Sequence, residues 1–199
     1  MGPENPAQKT LLLIGNPNVG KSVIFSRLTG VRAISSNYPG TTVGFLEGWL
    51  RYNSEVYRII DVPGAYTLDP TNEAEQVARR MVDEGADLAI IVLDATALER
   101  NLYLAFQAME RGIHTIVALN MVDEARHRGI SIDVEKLEKL LGVPVVPTVA
   151  LSGQGINRII QRIPEARKGH IPPLTSEERW KRIGLIIEQT QKLTHRHHT

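Results

Sequence analysis

The sequence predicts an α/β fold: a mostly parallel six-stranded sheet with one antiparallel strand and helices on both faces. Short apolar runs of strand length alternate along the chain with segments of helical periodicity, a pattern typical of parallel strands joined by helices. Two strand-like segments are instead separated only by Asn53-Ser54, which indicates an antiparallel hairpin. The 199 residues, with 42% hydrophobic and 23% charged side chains, are enough for one domain with a substantial core and a small appendage.

The individual strands and helices follow from the same patterns. The predicted strands are Thr10–Ile14, Val43–Tyr52, Val56–Val62, Leu88–Leu93, His114–Leu119 and Val145–Thr148. The predicted helices, several of which end at a glycine, are Ser22–Thr29, Glu73–Glu84, Leu98–Arg111, Val134–Leu141 and Ile156–Arg162. The segment Val31–Thr42 has no steady periodicity and is predicted to be a loop.

The composition changes after residue 163. Pro164–Pro173 contains three prolines and a glycine, which predicts a linker. Beyond it, Thr175 or Ser176 is the predicted N-cap of a short helical extension that reaches His195. The histidines and arginine at 195–198 are interpreted as a solvated helix end rather than a metal site. We therefore divide the chain into a main domain, residues 1–163, and a linker with a C-terminal helix, residues 164–199.

Composition also excludes several classes of protein. The chain has no cysteine, so disulfides, Cys-ligated zinc and iron–sulfur clusters are excluded and a reducing cytosol is compatible. The longest apolar runs are too short to span a bilayer, so we expect this chain to be soluble. A net charge of +1 gives no reason to expect a nucleic-acid partner.

The strongest chemical signal is a phosphate-binding loop between the first predicted strand and the first predicted helix. Its residues are Gly15, Asn16, Pro17, Asn18, Val19, Gly20, Lys21 and Ser22, which fit G-x-x-x-x-G-K-[ST]. Backbone N–H groups of such a loop surround phosphates. Lys21 is expected to reach the β- and γ-phosphates, and the Ser22 hydroxyl is expected to bind Mg²⁺.

A second motif distinguishes guanine from adenine. Asn120-Met121-Val122-Asp123 follows the predicted strand His114–Leu119, and ligands of such sheets bind at the carboxyl ends of strands. The Asp123 carboxylate can accept hydrogen bonds from guanine N1–H and the 2-amino group, which adenine does not offer. Asn120 is expected to tie this loop to the phosphate loop. After the last strand, the loop Val149-Ala150-Leu151 is expected to donate a backbone N–H, from Ala150, to guanine O6.

A third motif concerns the γ-phosphate. Asp61-Val62-Pro63-Gly64 follows the second hairpin strand; Asp61 is expected to hold Mg²⁺ through water, and the Gly64 N–H to contact the γ-phosphate. Thr41 and Thr42 lie in the loop before the hairpin, where a threonine can close on Mg²⁺. Together the motifs indicate a GTP-binding and GTP-hydrolysing domain with a Ras-like P-loop GTPase fold, over residues 1–163.

The motifs resemble those of a known family, the N-terminal cytosolic G domain of ferrous iron transport protein B (FeoB). The resemblance covers about residues 10–163. It rests on the phosphate loop, on Asn120–Asp123 and on two more specific stretches, Tyr38-Pro39-Gly40-Thr41-Thr42-Val43 and Asp61-Val62-Pro63-Gly64-Ala65-Tyr66-Thr67-Leu68.

The resemblance implies further residue roles and partners. Thr42 becomes the switch threonine that binds Mg²⁺, and Asn18 resembles the asparagine that ligates K⁺ in potassium-activated GTPases. Lys21, Thr42, Gly64 and Asn18 are then the residues expected to act in hydrolysis. The expected partner is a transmembrane iron-permeation domain of the same polypeptide, at the cytoplasmic side of the cell membrane; self-association is left open. The family's helical domain is here reduced to one predicted helix, either naturally or by truncation.

Two alternatives use the same motifs. One is a ribosome- or tRNA-associated GTPase, although such proteins usually add a basic RNA-binding domain. The other is a nucleotide sensor that docks different partners in its GTP and GDP forms, with slow hydrolysis as a timer. Ala65 favours slow hydrolysis, because Ras-type proteins have at this position a glutamine that orients the attacking water.

Overall fold

A seven-stranded sheet forms the centre of the computed structural model, which describes residues 8–30 and 32–194. The strand order is β2-β3-β4-β1-β5-β6-β8. The strands are β1 Gln8–Gly15, β2 Ile34–Asn37, β3 Gly44–Tyr52, β4 Glu55–Asp61, β5 Leu88–Asp94, β6 Thr115–Asn120 and β8 Val145–Pro147. Only β3 runs against the others, since it pairs antiparallel with both β2 and β4. The predicted mostly parallel α/β fold is confirmed.

The sheet has one strand more than the six predicted. The segment predicted to be a loop, 31–42, contains β2, whose register with β3 pairs Ile34 with Glu47 and Asn37 with Gly44; Val31 lies outside the described residues. Ile34 is 50% exposed, so β2 is held by backbone pairing at the sheet edge rather than by burial. An edge strand of this kind leaves no apolar alternation in the sequence.

Helices cover both faces of the sheet. They are α1 Lys21–Thr29, α2 Glu73–Glu84, α3 Leu98–Glu110, α4 Val122–His127, α5 Val134–Leu141, α6 Ile156–Arg162 and α7 Ser176–Thr190, with 3-10 turns at Ala95–Ala97 and Ile163–Glu165. The core has two parts because side chains alternate along each strand. On β1, Leu12 and Ile14 pack with Phe106 of α3 on one face, whereas Leu11 and Leu13 belong to the cluster of the other face.

The C-terminal segment is attached to the main domain. The predicted N-cap is confirmed: Thr175 Oγ1 accepts from Glu178 N (3.2 Å), and Thr175 N donates to the Glu178 carboxylate (3.2 Å), a capping box. The sequence predicts that this helix reaches His195, but in the structure the helix ends at Thr190. The chain continues as β9 Gln191–Leu193, antiparallel to β7 Ile130–Ile132.

Strand pairing therefore replaces the last helical turn. The sequence prediction missed β7, whose pairing with β9 holds the end of the chain in place. Asp133 N donates to Thr190 O and Thr194 N to Gly129 O, both at 2.8 Å. The histidines at 195, 197 and 198 lie outside the described residues.

One buried ion pair holds α7 against α3. Arg179 and Glu110 are each 8% exposed, and the Arg179 guanidinium donates to both Glu110 oxygens (2.8 and 3.0 Å), to the Tyr103 hydroxyl (2.9 Å) and to Leu174 O (3.0 Å). Trp180 packs on the Tyr103 ring, with centroids 4.6 Å apart.

Candidate nucleotide-binding site

The phosphate loop lies between the end of β1 and the start of α1, as the sequence predicts. Asn18 (φ 65°) and Gly20 (φ 83°) have left-handed backbones that turn the chain into the helix. Gly15 is required by space: a Cβ there would lie 3.0 Å from Val19 Cγ2 and 3.1 Å from Val92 O. The loop, the first residues of α1 and Gly64 line a cavity of about 300 Å³. Unpaired N–H groups at a helix start suit an anion.

The Lys21 ammonium contacts the Asp61 carboxylate. The sequence predicts phosphates as the partner of Lys21 and Mg²⁺ as the partner of Asp61, and the structure brings the two side chains together, 11% and 13% exposed. The residues fit Mg²⁺, because the Asp61 carboxylate and the Ser22 hydroxyl are the oxygen ligands that this ion prefers. A second cavity of about 240 Å³ includes Lys21, Asp61 and Gly64 in its lining.

Gly64 lies against the phosphate loop. A Cβ at Gly64 would be 3.3 Å from Pro17 atoms, and Ala65 N donates to Gly15 O (3.2 Å). Gly64 and Lys21 line the same two cavities, and the γ-phosphate contact of Gly64 stays a prediction. Two larger cavities, of about 470 and 500 Å³, have none of these motif residues in their lining.

Asn16 is a feature that the motif alone did not reveal. It is 3% exposed and lines the 300 Å³ cavity. Its Oδ1 is buried without a hydrogen-bond partner in the described chain. Leaving such a group unpaired costs about 1–3 kcal/mol, so the loop holds an unmet acceptor beside the predicted phosphate position.

Asn120 joins the two halves of the site. Its Nδ2 donates to Val19 O (2.9 Å), and its Oδ1 accepts from Thr148 Oγ1 and Ala150 N, both at 3.0 Å. The predicted tie between Asn120 and the phosphate loop is therefore present in the structure. Met121, with a left-handed φ of 62°, starts the unpredicted helix α4. Asp123 lies in the first turn of α4 with its side chain exposed, open to a base.

The loop after β8 differs from expectation in one contact. The Ala150 N–H, predicted to donate to guanine O6, donates here to Asn120 Oδ1. The two motifs follow neighbouring parallel strands, which brings them within hydrogen-bond distance. From α1, Arg27 donates to Ala150 O (3.2 Å) and Leu151 O (2.5 Å). Sequence reasoning missed Arg27, because a basic residue in a last helical turn is ordinary.

Thr42 is not brought to the phosphate loop in this structure. It is exposed in the turn between β2 and β3, which is closed by Tyr38 N to Val43 O (2.9 Å) and Thr41 Oγ1 to Tyr38 O (2.9 Å). In the described chain, no hydrogen bond joins Thr42 to Lys21, Ser22 or Asp61. The switch role of Thr42 stays a prediction.

The segment after Gly64 is held by a buried carboxylate. Glu75, 3% exposed, accepts from Tyr66 N (3.0 Å), Thr71 N (3.1 Å) and Thr71 Oγ1 (2.7 Å). Burial opposes ionisation, but these hydrogen bonds outweigh it and hold the pKa of Glu75 below its ordinary value. From α3, Gln107 Oε1 accepts from Leu68 N at 2.7 Å.

Sequence reasoning missed Glu75 and Gln107. One signal was available for Glu75: it stands three residues after Asn72, and that pairing marks a helix start. The structure confirms the cap, with Glu75 N donating to Asn72 Oδ1 at 2.8 Å.

These features define a P-loop domain of the guanine-nucleotide class. The family model for ferrous iron transport protein B matches residues 9–163. The Fe(2+) transporter FeoB of Salmonella typhimurium is 45% identical over 155 residues, which are 75% of this chain and 20% of the transporter. A fusion protein of Fe(2+) transport protein A and FeoB from Porphyromonas gingivalis is 41% identical over 79% of this chain and 19% of its own. The chain therefore belongs to the FeoB family, as an N-terminal G domain.

Solved structures agree with this assignment. The cytosolic domain of L. pneumophila FeoB superposes with a TM-score of 0.87 at 31% identity, covering 92% of this chain and 99% of that one. A mutant S. thermophilus NFeoB bound to GDP gives a TM-score of 0.74 at 39% identity, covering 84% and 64%. The chain spans about a fifth of the curated relatives. Across residues 8–30 and 32–194, no helix combines the length and the apolar character needed to cross a membrane.

Proposed function

We propose that this domain binds GTP and GDP with Mg²⁺, hydrolyses GTP to GDP and phosphate, and acts as the nucleotide switch of a ferrous iron transporter. The observation that carries the proposal is the position of Asn120. It is hydrogen-bonded to Val19 of the phosphate loop and to Ala150 of the last loop. These hydrogen bonds support a single site in which the proposed phosphate and base subsites lie side by side.

Each residue of the site has a separate role in the proposed hydrolysis. With nucleotide bound, Lys21 would leave Asp61 and contact the β- and γ-phosphates, and Asp61 and Ser22 would hold Mg²⁺. The ion would neutralise charge on the phosphates. The Gly64 N–H and, after loop closure, Thr42 contact the γ-phosphate side of the site. Water attacks the γ-phosphorus, and the bond to the bridging oxygen breaks with its electron pair going to GDP. Both protons of the water leave with the γ-phosphate as dihydrogen phosphate.

Hydrolysis by this route is slow and depends on a monovalent cation. Ala65 is 2% exposed and has no polar side chain to orient water. A K⁺ ion beside the phosphates would offset charge on the leaving oxygen, as an arginine finger does. Asn18 supports this because its side chain is exposed at the left-handed turn of the phosphate loop, where its carbonyl is available as a ligand.

The transport role rests on the relatives. They are named Fe(2+) transporters and are about five times longer than the matched segment. We infer that a transmembrane part of the same polypeptide is the partner of this domain, on the cytoplasmic side of the membrane. The nucleotide-sensor alternative uses the same pocket and differs only in what the GTP form contacts.

Calorimetry and turnover measurements test the proposal. GDP and GTP should bind with Mg²⁺ and ATP should not, because adenine offers no N1–H or 2-amino group to the Asp123 carboxylate. GTP turnover in KCl should exceed turnover in NaCl at equal ionic strength, and Asn18→Ala should remove the difference. Equal affinity for ATP and GTP would reject the guanine site, and equal rates in both salts would reject the K⁺ role alone.

A further inference from the structure

The loop 149–153 is fixed from within by only one polar side chain, that of Ser152, whose hydroxyl donates to Val149 O (3.1 Å). Val149, Ala150 and Leu151 are apolar, and the Leu151 side chain is 80% exposed. Internal backbone hydrogen bonds, such as Ser152 N to Val149 O (3.1 Å), close the turn. They do not fix the turn relative to the phosphate loop.

Arg27 attaches the loop to α1, in addition to the link that Asn120 makes between Ala150 N and the phosphate loop. Its guanidinium donates from Nε to Ala150 O (3.2 Å) and from an Nη to Leu151 O (2.5 Å). It also lies against Gly153, where an added Cβ would be 3.5 Å from an Arg27 nitrogen. Gly153 has a left-handed φ of 86°, so a side chain there would be both strained and in contact with Arg27.

These bonds fix the direction in which the loop's N–H groups point. A trans peptide directs its C=O and the following N–H to opposite sides. With Ala150 O held by Arg27, the Leu151 N–H is turned away from α1. On the preceding peptide, the Ala150 N–H points to Asn120, which belongs to the base-recognition motif. Arg27 therefore orients the Leu151 and Ser152 amides, which follow the carbonyls of Ala150 and Leu151, while Asn120 holds the Ala150 amide.

We propose that Arg27 is a positioning residue for guanine recognition: it holds the loop 149–153 so that its amides meet guanine O6, and it thereby sets how long GDP and GTP stay bound. This rests on the proposed function, since it assigns a further residue to the same site. The contact with O6 is common to both nucleotides, so Arg27 acts on base affinity and leaves the bond-breaking step unchanged.

The test measures dissociation of ribose-labelled GDP and GTP by stopped-flow displacement. Arg27→Ala should raise both dissociation rates by about tenfold, the size expected for charged hydrogen bonds at an exposed site. Arg27→Lys keeps one charged donor and should restore part of the effect. Arg158→Ala is the control, since it removes an exposed arginine of α6 after the same loop. Single-turnover hydrolysis at saturating GTP should be the same in all variants.

Nucleotides with altered bases distinguish a role of Arg27 in positioning the loop 149–153 from a general disturbance of the binding site. Inosine diphosphate keeps O6 but lacks the 2-amino group, so the difference between wild type and Arg27→Ala should persist. In 6-thio-GDP a sulfur, which is a weak acceptor, replaces O6, so the difference should shrink towards none. An equal loss for GDP, inosine diphosphate and 6-thio-GDP, or unchanged GDP dissociation in Arg27→Ala, would overturn the proposal. Failure of the wild-type chain to bind GDP would instead overturn the proposed function.

Discussion

Two ion pairs with little exposure to solvent look alike but have different surroundings. The pair between Arg179 and Glu110 lies between α3 and α7, and the guanidinium also donates to Tyr103 and Leu174. The pair between Lys21 and Asp61 lies between two cavities, beside an unpaired Asn16 oxygen. The first pair is complete, whereas the second has open space and unmet hydrogen bonds around it. The surroundings of a buried charge pair, rather than the pair itself, indicate whether it serves stability or ligand binding.

The largest expected effect on stability lies in the first pair. Arg179→Leu leaves the buried Glu110 carboxylate without its cationic partner, with Leu174 N still donating to it, which should cost about 3–5 kcal/mol of unfolding free energy. GDP affinity at a temperature where the variant is folded should stay near the wild-type value. Urea unfolding and calorimetry check both quantities. A variant as stable as the wild type would show that the ion pair between α3 and α7 contributes little to the free energy of unfolding.

The converse is expected for the second pair. Lys21→Ala should lower GTP affinity by roughly 100-fold, because a charged phosphate contact is lost, while the fold is kept. Lys136→Ala, which removes an exposed lysine of α5, is the control and should change neither affinity nor stability. Calorimetry with GTP and Mg²⁺ measures the effect, and circular dichroism checks the fold. Unchanged affinity in Lys21→Ala would contradict the assignment of the phosphate loop.

A smaller effect is expected for the segment after Gly64. Glu75→Gln should cost about 1–2 kcal/mol at neutral pH, since the ionised carboxylate accepts several hydrogen bonds. The folded pKa of Glu75 is lowered from 4.5, so this stabilisation is present above that pH and is lost as pH falls through the folded pKa. The difference in unfolding free energy between wild type and variant should therefore shrink from about pH 6 to about pH 3. A difference independent of pH would contradict the ionised state.

The comparison also shows what the sequence could predict. The phosphate loop and Asn120–Asp123 were readable because their spacing is fixed by the ligand, and the apolar runs located the sheet. Arg179 and Glu110 are far apart along the chain and neither belongs to a motif, so their pairing was not readable. Arg27 was missed for the same reason. The edge strand Ile34–Asn37 was missed because backbone pairing, not burial, forms it.

The central claim is that the phosphate loop and the loop 149–153, joined by Asn120, form one guanine-nucleotide site. It is tested most directly by replacing Asp123, the side chain expected to bind the base. Calorimetry should compare GDP and xanthosine diphosphate on the wild type and on Asp123→Asn. We expect the wild type to prefer GDP and the variant to prefer xanthosine diphosphate, whose 2-oxo group accepts from the new amide, with a loss of about 1–3 kcal/mol for GDP. If Asp123→Asn kept the wild-type preference for GDP, Asp123 would not contact the base and the account of the site would be wrong.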